Sequence, residues 1–319
     1  MDGSDEAAAP RHTGHAPAPV YVNGLRIDSR GPRNKPCFAF QQPGGCARGQ
    51  ACRFVHDVPF PAPPPHRWKE EVAASSSTLP ESLRSQRVCH VAAELADEMV
   101  ALVQSALQVT TDLAALHQLS DSAKVVGRAR NSEYQKRWTA AIHARGSEWR
   151  ARLDTCMRRF IAESVSLEAL EAACHGYSAV CYQAEPSLRL HMPHSKKSGI
   201  QLHKDADYFH QPNEVNLWIP LSDGVGGSNS LYCESKPGAG DYAPFEVARG
   251  SYMRFWGNQC LHHTAVNTTE ATRVSLDVRV VPLELFDHAW PNPRGDVCFR
   301  LGEYYDQVQV PVPVGVSEV

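Results

Sequence analysis

The chain has no apolar run long enough to cross a bilayer, so a membrane-spanning helix is not expected. It also lacks an excess of either charge. A formal net charge of -3 gives no global attraction to nucleic acid or to a membrane surface, so any such partner must be met by a local patch. The opening Met1-Asp2-Gly3-Ser4-Asp5-Glu6 is acidic and has no apolar centre. That argues against a secretory signal and for an intracellular place, cytoplasm or nucleus. A disulfide framework is missing as well. Of the ten cysteines, three are clustered, while Cys89, Cys156, Cys174, Cys181, Cys233, Cys260 and Cys298 stand singly, which fits a reducing compartment and ordinary half-buried thiols. Residues 1–33 have almost no large apolar side chains and are expected to be a disordered tail, with His12 and His15 solvated.

What is present begins with length. A chain of 319 residues, 42% hydrophobic and 21% charged, accommodates a real core and either two domains or one large domain with appendages. Residues 34–58 contain Cys37, Cys46, Cys52 and His56, three thiolates and an imidazole at intervals suited to a tetrahedral Zn(II). So short a segment has no core of its own, so the metal would supply its folding free energy. With Gly45, Gly49, Phe40 and Phe54, this segment resembles a CCCH zinc finger of the RNA-binding kind. The resemblance implies single-stranded RNA as a partner, with Phe40 and Phe54 stacking on bases at about 1–3 kcal/mol each. Arg48 and Arg53, with Arg30, Arg33 and Lys35, would meet phosphates. A structural or protein-docking finger is the alternative, since there is one finger with modest basic flanks.

Residues 59–82 form a linker, proline-rich and then Ala-Ser-Ser-Ser-Thr, which tethers the finger. Residues 83–176 read as helical. Val91, Leu95, Met99, Leu102, Val103, Leu107 and Leu113 recur at three- and four-residue steps within 83–120, and further helices are expected over Ser132–Arg145, Ser147–Phe160 and Leu167–His175. This region is expected either to support a neighbouring sheet or to be an independent helical interaction domain.

From 177 to 319 the period shifts toward two. Strands are predicted over Ala179–Gln183, Leu188–Met192, Gln201–Lys204, Val215–Pro220, Ser230–Cys233, Glu246–Ala248, Ser251–Trp256, His262–Asn267 and Arg273–Val281. Glycine-rich turns separate them, the pattern of two packed sheets in a jelly roll of the cupin type. The overall class is therefore α+β: a double-stranded β-helix with supporting helices, plus a small finger on a linker. The tail from Asp287, with Trp290, Phe299, Tyr304 and Tyr305, is expected to wrap on the barrel, and Val308–Val319 to be loose.

In a strand, residues two apart share a face, so His203 and Asp205 would offer an imidazole and a carboxylate to one cation. His262 would complete a set of two His and one carboxylate, the ligand set associated with non-haem Fe(II). Arg273 and Ser275, again two apart, suit a small carboxylate. These residues, with the blocks Pro186–Pro193, His203–His210, Glu214–Leu221 and Thr272–Arg279, resemble the Fe(II)/2-oxoglutarate-dependent dioxygenases. The resemblance is narrower still to the streptomycin-biosynthesis-protein-G-like branch, relatives of phytanoyl-CoA hydroxylase, and it covers roughly the second half of the chain.

The resemblance implies iron held by His203, Asp205 and His262, 2-oxoglutarate bound at Arg273 and Ser275, and hydroxylation of a small molecule with O2. The carboxylate of Asp205 argues for hydroxylation and against halogenation, because halogenating relatives lack it, and leaves desaturation or ring closure open. Arg189, Tyr208, His210, Asn216, Trp218 and His263 are the substrate-lining candidates. Arg189 and Arg279 are equally expected as structural ion-pair partners, and Trp218 as a packed core aromatic. Asp207 competes with Asp205, and His263 with His262; the spacing favours Asp205 and His262. Two other readings stay open at this point. One is a hydroxylase acting on RNA or an RNA-associated protein, and the other is an RNA-binding protein whose barrel is a scaffold.

Overall fold

The computed structural model of the chain describes residues 20–22, 25–27, 77–119, 132–165, 176–193, 199–290 and 298–309. The chain divides into two units, Met1–Glu70 and Glu71–Val319. In the first, β1 (Val20–Val22) pairs antiparallel with β2 (Leu25–Ile27). These two strands fall within the stretch expected to be a disordered tail, the rest of which lies outside the described residues. The flanking Val20, Val22, Leu25 and Ile27 around Asn23-Gly24 are the sequence signature of a two-residue hairpin, which average composition conceals. The finger residues Cys37, Phe40, Cys46, Arg48, Cys52, Arg53, Phe54 and His56 lie outside the described residues, as do the linker before residue 77 and the expected helix Leu167–His175.

The second unit is built on a seven-stranded sheet in the order β12-β4-β11-β6-β9-β3, with β5 beside the first half of β11. Its strands are β3 (Arg87–His90), β4 (Ala179–Gln183), β5 (Ser187–His191), β6 (Val215–Pro220), β9 (Ser251–Phe255), β11 (Arg273–Pro282) and β12 (Tyr305–Gln309). A three-stranded sheet, β10-β7-β8, contains β7 (Tyr232–Cys233), β8 (Ala243–Pro244) and β10 (His262–His263). Beyond β10 the chain adds an antiparallel bridge between His203 and His262. Taking β5, the His203 segment and β6 to β11 in chain order, the first, eighth, third and sixth members make one sheet. The second, seventh, fourth and fifth make the other. That order is the jelly roll, with helices added to it.

The long strand β11 shows why the sequence folds this way. Val274, Leu276, Val278 and Val280 alternate with Arg273, Ser275, Asp277 and Arg279, so one face joins the hydrophobic core and the other carries polar groups into the barrel. The helices Ala93–Leu107, Glu133–His143 and Glu148–Arg159 add Leu95, Met99, Trp138, Ile142, Leu153 and Met157 to that same core. Ser132 and Ser147 start two of them, each hydroxyl accepting a hydrogen bond from the backbone N–H three residues on. Phe160 packs edge-on against Tyr252 of β9, 5.2 Å between centroids, and ties the helices to the sheet.

Several expected elements change. The stretch 83–120 is not one helical tract: a short helix, Glu81–Arg84, is followed by β3, the helix Ala93–Leu107 and a 3-10 turn, Leu113–Gln118. Its apolar spacing misleads because β3 is a four-residue edge strand with Cys89 alone buried, too short to show a period of two. Gln201–Lys204 contributes a bridge rather than a strand. The expected strand Glu246–Ala248 is irregular, and β8 lies just before it at Ala243–Pro244. The end of the chain is more ordered than expected as far as Gln309, because β12 pairs with β4 and extends the large sheet.

Candidate metal centre and anion pocket

His203, Asp205 and His262 converge, each offering a ligand atom within 4.8 Å of the others. The Nε2 atoms of His203 and His262 lie 3.8 and 3.9 Å from Asp205 Oδ1. Each imidazole donates from Nδ1 to the carbonyl two residues earlier, His203 to Gln201 at 2.7 Å and His262 to Cys260 at 3.0 Å. Those bonds fix the tautomer and leave both Nε2 lone pairs facing the carboxylate. Burial, then repulsion from His262, lowers the pKa of His203, which favours the neutral ring a metal needs.

The local geometry is not the strand that the spacing suggests. Asp205 opens a 3-10 turn, Asp205–Tyr208, and its N–H bonds to the Gly257 carbonyl at 2.9 Å. His203 and Asp205 therefore meet through a bridge followed by a turn. Asp207 is not a competing ligand, since its Oδ2 accepts from the Lys204 N–H at 3.3 Å and closes the same turn.

Asp205 is buried and paired with a residue far away in sequence. Arg279 donates from Nε to Oδ2 at 2.9 Å and from Nη2 to Oδ1 at 3.1 Å, and Asn216 donates to Oδ2 at 2.7 Å. Burial by itself would raise the acid's pKa, but Arg279, then His210 and His262, more than offset it and hold Asp205 well below the ordinary carboxylate range. Gln183 accepts from Arg279 Nη1 at 3.1 Å. Glu214 lies 3.8 Å from Arg279 Nε and 2.8 Å from His210 Nδ1, and accepts a hydrogen bond from the Tyr305 hydroxyl.

At the other end of β11 the picture reverses. Arg273 is buried, with its Nη1 donating to Ser275 Oγ at 2.9 Å and its guanidinium 5.5 Å from the Trp218 ring centre. Among the described residues no carboxylate lies within ion-pair distance of it, and its Nε has no acceptor. Burial, then the charge of Arg189, lowers its pKa to about 9. His191 is its direct cross-strand partner; the backbones of Asn229 and Ala265 lie beside its ring, but among the described residues neither nitrogen has a hydrogen bond of good geometry. Burial, then Arg273, pushes His191 down to about 4. The indole N–H of Trp218 is also unpartnered among the described residues. Buried polar groups are nearly always satisfied, so Arg273 Nε and Trp218 Nε1, unpartnered among the described residues, are donors that a ligand can engage.

The remaining expected site residues divide. Tyr208 is exposed and edge-on to His203 at 5.2 Å, at the mouth of the site. Arg189 pairs with Asp277 at 3.4 Å and lines a cavity of about 430 Å³ with Gln135, Trp138, Ile142, Glu185 and Ser187. His210 is held against Glu214 and packs on Phe299 and Tyr304, so it joins the network around Arg279. Asn216 serves the Asp205 carboxylate. His263 faces away from the ligand cluster, stacked on Tyr232 at 5.3 Å. Sequence reasoning named Arg279 only as an ion-pair partner and missed Glu214, His191, Gln183 and Tyr305 as members of the site. The first two lie inside the matched blocks; nothing local marks Gln183 or Tyr305.

No family model matches the chain. It is 37% identical over 134 residues to the streptomycin biosynthesis protein StrG of Streptomyces griseus. That match covers 41% of this chain and 61% of the relative's length. Solved structures that resemble it include SnoK, a non-heme alpha ketoglutarate dependent carbocyclase from nogalamycin biosynthesis, at 13% identity and a TM-score of 0.41, covering 70% of this chain and 92% of that one. A non-heme monooxygenase, the ThoJ-Ni complex, has 15% identity and a TM-score of 0.40 over 63% and 75%. A prolyl hydroxylase from Trichoplax adhaerens, in complex with a hypoxia inducible factor peptide fragment, has 13% identity and a TM-score of 0.37 over 69% and 91%. Likenesses this distant carry no activity across, so the site rests on its own geometry.

Proposed function

We propose that this chain is an Fe(II)- and 2-oxoglutarate-dependent dioxygenase that hydroxylates a small molecule. The observation that carries the reading is the pairing, inside one barrel, of a converged His203-Asp205-His262 set with a buried, uncompensated Arg273. Two imidazoles with free Nε2 atoms and one carboxylate oxygen suit non-haem Fe(II) and leave positions open. A buried cation beside a hydroxyl suits a dicarboxylate whose other end reaches the metal, with Arg273 and Ser275 holding the distal carboxylate. Bound together, Fe(II) and 2-oxoglutarate supply the activation of O2 for C–H hydroxylation, with release of succinate and CO2.

The chain's own residues set the stage for that chemistry. His203 and His262 are kept in one tautomer by backbone carbonyls, and Asp205 is kept ionised by Arg279. The apolar walls from Trp218, Phe245 and Phe255 exclude water around the centre. A small-molecule substrate is supported by the likeness to StrG, a protein named for the biosynthesis of streptomycin, itself a small molecule. For the first unit we retain a Zn(II) finger at Cys37, Cys46, Cys52 and His56 on the ligand spacing, with single-stranded RNA as the partner its resemblance to CCCH fingers implies and a protein-docking finger as the alternative.

One preparation tests both. Anaerobic reconstitution with Fe(II) and 2-oxoglutarate should give the weak visible charge-transfer band of the chelate, absent in Asp205→Ala and Arg273→Ala. Metal analysis of the intact chain should return one iron and one zinc per chain. Zinc alone, with no band, would remove the dioxygenase reading and leave the finger.

A further inference from the structure

The Asp205 carboxylate has two oxygens and about four acceptor directions. Two donors reach Oδ2, Asn216 Nδ2 at 2.7 Å and Arg279 Nε at 2.9 Å. A third, Arg279 Nη2, reaches Oδ1 at 3.1 Å. One direction on Oδ1 is left, on the oxygen that lies 3.8 and 3.9 Å from the two imidazole Nε2 atoms. We propose that Arg279 and Asn216 are positioning residues that restrict Asp205 to ligating a metal through Oδ1 alone, so that the metal keeps a position free for O2 after 2-oxoglutarate has bound. This rests on the dioxygenase reading above.

The two donors are themselves held. Asn216 and Arg279 are direct partners in the β6–β11 register, so they grip the carboxylate from adjacent strands. Arg279 is anchored beyond Asp205 by Gln183 on β4 and lies 3.8 Å from Glu214 and 3.7 Å from Asp277. Asn216 packs over Gly257, where a Cβ would come within 2.7 Å of its amide, so no side chain fits between them. The backbone carbonyl of that same Gly257 holds the Asp205 N–H. For Asp205 to turn Oδ2 toward the imidazoles, two buried hydrogen bonds to a charged group would have to break. Without these donors a carboxylate is free to chelate through both oxygens. Such chelation, added to two imidazoles and a bidentate keto acid, fills an octahedral ion.

The test uses the full chain under anaerobic conditions with Fe(II), saturating 2-oxoglutarate and nitric oxide as a surrogate for O2. The intact protein should bind all three and show the half-integer-spin iron–nitrosyl resonance. In Arg279→Lys, iron and 2-oxoglutarate should still bind, while nitric oxide affinity falls by about tenfold or more. Asn216→Ala removes one donor and no charge, which guards against a folding failure in the arginine variant. It should show the same loss to a smaller degree, and Asn216→Ser, which restores a donor, should recover part of it. Unchanged nitric oxide binding in folded variants would overturn the inference and leave the dioxygenase reading standing. Loss of iron from a folded Asn216→Ala chain would overturn it too, since the pair would then be needed for affinity rather than for ligation through one oxygen. An intact protein that binds no iron would overturn both.

Discussion

Arg273 and Arg279 stand on the same face of the same strand, six residues apart, and their surroundings are opposite. Arg279 is surrounded by Asp205, Glu214, Asp277 and Gln183; burial would lower its pKa, but Asp205, then Tyr304 and Asp277, hold it well above the ordinary value. Arg273 has a hydroxyl, an aromatic face and a neutral imidazole, and burial draws its pKa down to about 9. A buried charge that is fully matched belongs to the architecture. A buried charge left without a counter-ion is retained at a cost to stability, and the compensation comes when a ligand binds.

The contrast can be broken by exchanging either cation for an apolar side chain of similar length. Arg279→Met leaves Asp205 and Glu214 buried without their cation and should cost about 3–5 kcal/mol in urea unfolding. Arg273→Met removes a charge that nothing offsets, so stability in the absence of 2-oxoglutarate should not fall. Binding of 2-oxoglutarate, followed by the chelate band, should weaken by roughly 10–100-fold, the loss of ~1.5–3 kcal/mol for hydrogen bonds to a charged group. Equal destabilisation by the two changes would abolish the distinction drawn between them.

A smaller effect sharpens it. His191 sits opposite Arg273 and is held at about 4, below the value near 6.5 of an unfolded histidine, by burial and then by that guanidinium. The unfolded chain therefore takes up the proton first. Stability from this residue is complete above about pH 6.5 and declines as pH falls toward 4, by ~2 kcal/mol at pH 5. His191→Gln should flatten that part of the urea-unfolding profile between pH 7 and pH 5. A profile unchanged by the substitution would place the acid sensitivity elsewhere.

The legible parts of this molecule are those written in short-range pattern. Alternation marks β4, β6, β9 and β11 almost to their ends, and serine caps mark two helices. Histidine and aspartate two residues apart point to the ligand set even though the backbone between them is a bridge and a turn. What stays hidden depends on partners distant in sequence. Arg279 lies 74 residues from Asp205, and Tyr305 lies 91 from Glu214, so no window of sequence contains either pair. Cys89 alone is buried in β3, and its strand exists because β9 offers an edge to pair with. That Arg273 has no carboxylate partner among the described residues is hidden for a related reason. A residue's lack of a partner shows only after every other residue has been placed.

The hydroxyl of Tyr305 on Glu214 also imposes an order of events on a chain emerging from the ribosome. His203, Asp205 and His262 are all synthesised before β11 brings Arg279, and β12 comes last. At about 5–20 residues per second, Asp205 waits some 5–20 seconds between its own synthesis and that of Tyr305. Only the last 17 residues before Arg279, about 1–3 seconds of synthesis, separate completion of the His203, Asp205 and His262 set from the arrival of that cation. During that window Asp205 has no Arg279 to pair with, whereas in the finished barrel the two are held together by two hydrogen bonds.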